Sequence, residues 1–172
     1  MFLNIEKNEL PEKIIGYKAL NSDFTNRYGF KFEIGKTYKV YNEVKFGNNG
    51  NGFHFCENFE DTLRYFDAID DDIILTKVEA TGKIVEYNDE YYGFYNMYCS
   101  EKIKILEIID RKQIIEMAKK LSSYYELFRF KRFISLYKLT KDEQEYLINN
   151  SNDKEKVKSL MKEYQLKKMA WI

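Results

Sequence analysis

An α+β fold is predicted: a small, mostly antiparallel sheet with one helix, followed by a helical C-terminal region. Three observations predict it. Apolar residues alternate at period two in several short runs before residue 110. Turn signals such as "GNNGNG" separate those runs. After Asp110 the apolar spacing becomes helical, and neither Pro nor Gly occurs beyond Gly93.

The elements follow in order. "KIIGYKALN" (13–21) is apolar and aromatic and ends in turn residues. "GFKFEIGKTYKVY" (29–41) sets Phe30, Phe32 and Ile34 against Lys31 and Glu33, the pattern of a half-buried strand. Gly35-Lys36 interrupts it and "TYKVY" resumes, which predicts a hairpin or bent ribbon. "FHFC" (53–56) continues as a strand after the Asn/Gly turn. Asn58 is placed to cap a helix over "FEDTLRYFDA", with Glu60 and Asp61 in its first turn and Phe59, Leu63 and Phe66 on one face. "DIILTKVEATGKIVEY" (72–87) reads as two strand segments bent at Gly82. "DEYYGFYNMYCS" reads as an aromatic loop or edge, and "EKIKILEII" (101–109) as the closing strand, Ile103 and Ile105 pointing away from Lys104 and Leu106.

Two capping boxes open helices in the second part, Asp110 with Gln113 and Thr140 with Glu143. Leu127, Phe130, Ile134 and Tyr137 share one helical face. Val157, Leu160, Met161, Tyr164 and Met169 form the apolar stripe of a last, charged helix. Residues 1–110 are therefore expected to form an α+β domain, and residues 111–172 a helical region packed on or beside it.

Composition supports a packed interior: 44% of the 172 residues are hydrophobic and 17% aromatic, and each buried ring removes roughly 150–250 Å² from water. No run reaches the roughly 18 apolar residues of a membrane span. The start lacks the pattern of a signal peptide, so a cytoplasmic location is expected. Two cysteines do not make a disulfide framework. The formal net charge is zero, yet residues 1–110 carry 13 Lys and Arg against 20 Asp and Glu, and residues 111–172 carry 15 against 8. The basic part suits an acidic partner or the chain's own acidic half, and the neutral total disfavours a dedicated nucleic-acid binder.

Candidate chemistry centres on His54, the only histidine, two residues from Cys56 on one strand face. A Cys–His pair can generate a nucleophile, and Cys99 with a carboxylate would complete a zinc set. The favoured reading is structural: His54 hydrogen-bonded along a cleft, with Phe53 and Phe55 in the core and Cys56 a small hydrophobe. No metal is expected. "DAIDDDI" (67–73) lacks the Gly and closing Glu of a calcium loop and reads as a solvated turn. Phosphate loops, dinucleotide fingerprints and serine elbows are missing. "FRFKRF" (128–133) interleaves rings and cations. On a helix Phe130 and Phe133 turn inward, leaving Arg129, Lys131, Arg132 and the following Lys138 as partner-binding candidates.

The blocks "GYKAL", "GFKFEIGKTY", "GFHFCEN", "VEATGKI" and "EKIKILEI" stand in order over residues 16–109. In this pattern the chain resembles an uncharacterised domain family of bacteria and their phages. That resemblance implies a phage or mobile-element setting and no defined activity. A weaker likeness is to small ADP-ribosyltransferases of the rifampicin-modifying kind. It implies NAD as substrate, Tyr17 in the first strand, His54 at the Tyr place of "GFHF", and Glu86 or Asp89 as the acid after Thr81-Gly82. The His and Tyr positions are exchanged relative to that pattern. Such a pocket needs a ring against nicotinamide and a carboxylate facing the developing positive centre.

The sequence thus leads to an interaction protein of a phage or mobile element, acting on a host protein, with inhibition of a host defence protein as the specific expectation. It would work by binding, without a cofactor and inside the bacterial host's cytoplasm. The alternative is the NAD-using enzyme, with Tyr17, His54 and Glu86 as its catalytic residues.

Overall fold

The computed structural model describes residues 10–47, 50–64, 73–88, 96–122 and 127–169. Five strands, β1 (Lys13–Asn21), β2 (Thr37–Lys39), β3 (Phe53–Cys56), β4 (Ile73–Asn88) and β5 (Asn96–Ile109), form one sheet. Its order is β2-β5-β3-β1-β4, and β4 pairs back onto β5. The ring β1-β4-β5-β3 therefore closes on itself, which leaves few unpaired edges. The named strand pairs are all antiparallel, and the architecture is α+β.

Closure depends on two long, bent strands. β4 is one continuous strand rather than two segments, irregular in register between Thr81 and Ile84, where Gly82 takes φ +76°. A bulge there tightens the twist and lets the strand turn the corner. β5 is the hub, pairing with β2, β3 and β4; residues 96–100, expected in a loop or edge, lie between β3 and β4. The ring shuts at one register pair, Tyr17 to Cys56. Gly16 permits that approach, because a Cβ there would sit 2.3 Å from the Cys56 carbonyl oxygen.

The ring encloses Ile14, Leu20, Phe32, Phe55, Val78, Ala80, Ile84, Tyr98, Ile103 and Ile105. Phe55 is 2% exposed and stacks on Tyr98. One expectation for the ribbon fails. Phe32 is buried, but Phe30 and Ile34 are 44% and 52% exposed. Thr25 to Lys31 and Ile34 to Ile105 are isolated bridges, not a ladder, and Phe30 keeps one side in solvent while its ring meets Phe32, Tyr38 and Phe53. Without a continuous ladder, the period of two does not bury all three side chains equally.

Outside the ring lies a second apolar cluster, shared by the sheet and the helices α1 (Arg111–Ala118), α2 (Leu127–Leu136), α3 (Lys141–Asn149) and α4 (Lys154–Met169). Asp110 and Thr140 form the expected capping boxes. Phe130, Ile134, Val157 and Met161 are buried as the spacing predicts, with Leu160, Tyr137 and Tyr164 packed beside them. Where a helix is expected after Asn58, the described residues form a 3-10 helix, Phe59–Arg64. Phe66 and the acidic run 67–72 lie outside the described residues, as do Asp89 and the side chains of Leu127 and Met169.

Candidate functional site

β3 carries the histidine, and the register decides what surrounds it. His54 pairs with Cys99 on β5, which pairs with Val85 on β4; Phe55 pairs with Tyr98, which pairs with Glu86. Directly opposed residues share a face. His54 and Cys99 therefore lie on one side, while Phe55, Tyr98 and Glu86 lie on the other. The imidazole meets Phe46 edge-on at 4.6 Å, and Phe46 stacks on Tyr87 at 4.4 Å. The Gly47 N–H donates to His54 Nε2 at 3.4 Å, which assigns the ring hydrogen to Nδ1.

Lys18 enters from β1. It alternates with Ile14, Gly16 and Leu20, so it points the way they do, and its Nζ donates to the His54 carbonyl oxygen at 2.6 Å. Burial, opposed in part by Cys56 and Cys99, lowers its pKa to about 8. Burial likewise pushes the Cys99 thiol up to about 11, with Lys18 working against it. For His54, burial first and then Lys18 and Arg27 lower the pKa to about 4.

These environments favour neutral groups. The Cys99 thiol stays protonated at neutral pH, and His54 stays an uncharged imidazole. Cys56 is 1% exposed, in a small cluster with Met97 and Phe46. An activated nucleophile requires a lowered thiol pKa, and that of Cys99 is raised. No group of three or more His, Cys, Asp or Glu suited to a metal ion occurs among the described residues.

The three residues implied by the transferase likeness divide between faces: Tyr17, paired with Cys56, shares the His54 face, and Glu86 does not. Tyr17 packs against the helical cluster. Glu86 receives the Tyr98 hydroxyl at 3.5 Å on the face opposite His54, while the same hydroxyl lies 3.0 Å from Glu57. A single phenolic proton serves one acceptor at a time. Burial, then Glu57, raises the Tyr98 pKa far above its ordinary value.

The tail residues require a correction. Arg129 and Arg132, expected together on an outer face, turn toward the 3-10 helix. Arg129 Nη2 lies 3.0 Å from Asp61 Oδ1, with side-chain exposures of 17% and 1%. Arg132 Nε donates to the Leu63 carbonyl at 3.4 Å. The reason is the acidic half itself: it supplies a buried carboxylate that an arginine must compensate. Lys131 and Lys138 are exposed, and the Lys138 carbonyl accepts from Arg111 at 2.7 Å.

Asp61 was legible only as a first-turn acid, because nothing local shows that α2 will cover it. Burial raises its pKa to about 6, against the pull of Arg129 and Asn58. Lys18 left a clearer signal, a lysine at a period-two apolar position.

The fold and its contacts first define a class: a closed antiparallel ring with a helical cluster packed on one side. Membership is narrower. The chain belongs to the DUF7666 family, a domain of unknown function, which matches residues 14–117. No curated protein and no solved structure matches the chain. No helix among the described residues is long and apolar enough to cross a membrane.

Proposed function

We propose that this protein acts by binding another protein, and that the partner is a host defence protein inhibited by a phage or mobile-element product. One observation carries the binding role. The segment around β2 exposes four large apolar side chains in part or in full: Tyr28 at 69%, Phe30 at 44%, Ile34 at 52% and Tyr41 at 89%. Arg27 lies against the Tyr28 ring and Lys39 against the Tyr41 ring. Aromatic residues and arginine dominate the energetics of protein interfaces. This segment takes the place of Arg129 and Arg132, which are engaged within the chain. The phage setting and the defence target rest on the sequence resemblance.

The test is a pull-down from host lysate with wild type and with the double variant Tyr28→Ser, Tyr41→Ser, each with and without NAD. Both substitutions are at exposed positions, so the melting temperature should hold. A defined host protein retained by wild type, lost by the variant and indifferent to NAD is the expected result. An ADP-ribosyl mark on a host protein, or nicotinamide release, would establish the enzymatic alternative instead.

A further inference from the structure

β2 pairs with β5 along one side, and among the described residues no strand pairs with its other side. The Val40 N–H donates to the Glu101 carbonyl at 2.9 Å, which makes Val40 and Glu101 a hydrogen-bonded pair. Such pairs alternate along an antiparallel ladder. Tyr38 therefore turns its N–H and C=O toward β5, while the exposed Thr37 and Lys39 turn theirs away. A row of outward backbone donors and acceptors is a template for another strand.

The charge beside this edge has one sign. Lys39 stands opposite Lys102, and Thr37 opposite Lys104, so the three lysines share the outer face. Like charges directly opposed repel. Glu101 answers Lys39 at 3.2 Å. Glu79, opposite Lys104, is held by Lys13, and Lys102 forms no ion pair among the described residues. The patch is thus basic within a half of the chain that is acidic overall. Next to it the Tyr41 ring stands in solvent, 5.5 Å from Lys39 Nζ at its centre. An occupant of this edge needs an extended backbone for Thr37 and Lys39, carboxylates for the lysines and apolar side chains for the ring. A second copy of β2 would set lysine against lysine, so the charge points to an unlike, acidic chain.

We propose that an extended, acidic segment of the partner protein adds as a strand to the open edge of β2. Strand addition draws affinity from backbone hydrogen bonds and selectivity from side chains at alternate positions. Here Thr37 and Lys39 supply the bonds, Lys39 and Lys102 the preference for carboxylates, and Tyr41 an apolar contact. This rests on the binding role argued above for the Tyr28–Tyr41 segment and narrows its partner to one chemistry.

The test mixes the full wild-type chain with three short synthetic peptides. One alternates Glu with Val, one alternates Lys with Val, and one is the Glu–Val peptide N-methylated at every residue, which keeps its side chains and removes its N–H groups. With the Glu–Val peptide, the amide NMR signals of Thr37 and Lys39 should shift and gain protection from hydrogen exchange. The Lys–Val peptide should bind at least tenfold more weakly, and the methylated peptide should leave both amides unprotected. Because the changes sit in the peptides, the chain's own folding is not at stake. Absence of protection at Thr37 and Lys39 would overturn strand addition, as would equal binding of the methylated peptide. Equal binding of the Glu–Val and Lys–Val peptides would overturn the acidic partner. The pull-down with Tyr28→Ser, Tyr41→Ser decides the binding role separately. A host protein lost from that variant, with Thr37 and Lys39 unprotected by any peptide, would leave binding by side chains alone and sink strand addition. A host protein kept by the variant, with both amides protected, would sink the role given to the tyrosines instead.

Discussion

Asp61 Oδ1 and Arg129 Nη2 face each other at 3.0 Å, one on the 3-10 helix after β3 and one on α2, with Asp61 almost wholly buried. The pair joins the acidic first part to the basic second part beside the Arg132–Leu63 hydrogen bond. Removing one partner of a buried pair strands the other charge, at about 3–5 kcal/mol. Arg129→Ala should cost that much at pH 7.5 and distinctly less at pH 5, where Asp61 is protonated. Urea unfolding at the two pH values measures this; an equal loss at both would show that Arg129 matters through packing alone.

Asp61 also carries a pH dependence of its own. Its pKa is raised to about 6 in the folded chain from an ordinary 3.8, so the folded state binds the proton more tightly. The stability it contributes is full below about pH 4 and is lost as pH rises through 6. Asp61→Asn should remove that slope, a change of roughly 2 kcal/mol across the window. The measurement is the difference between wild-type and variant unfolding free energies from pH 4 to 7.

His54 gives the opposite sign. Its pKa is lowered to about 4 from 6.5, so the unfolded chain takes up the proton first. The stability it contributes is present above about pH 6.5 and is lost as pH falls toward 4. For a half-buried ring the size is roughly 2 kcal/mol. Imidazole NMR shifts should stay flat between pH 8 and 5.5, and a midpoint near 6.5 would contradict the burial described above.

Phe55 and Phe30 separate core from surface. Phe55→Ala removes a ring that is 2% exposed and should destabilise by about 3–5 kcal/mol. Phe30→Ala, at 44% exposure, should cost about 1 kcal/mol or less. Comparable losses would mean that the ribbon is buried as its alternation suggested.

Gly16→Ala tests ring closure. The added methyl would meet the Cys56 carbonyl at 2.3 Å and the Phe55 ring at 2.9 Å. Backbone cannot yield as a flexible side chain does, so β1 and β3 must separate, at about 1–3 kcal/mol or more. Hydrogen exchange should rise first in Phe53–Cys56, while α4 stays protected.

The sequence by itself determined what neighbours along the chain decide. β1 spans the expected residues 13–21, because an apolar and aromatic run there ends in turn residues. Both capping boxes form where their side chains stand, because a cap is satisfied within one turn. The inward stripes of α2 and α4 follow from helical spacing. Only the tertiary structure decided which of two equal-looking partners a residue meets. Phe30 and Ile34 share Phe32's pattern but lack the ladder that would bury them. Glu86 and His54 part company because register sets faces across strands, which no one strand encodes. Arg129 turns inward because Asp61, 68 positions earlier, is buried and needs a counter-charge. An unpaired charge in the interior costs more than any surface arrangement gains, and that balance exists only once the two parts are packed together.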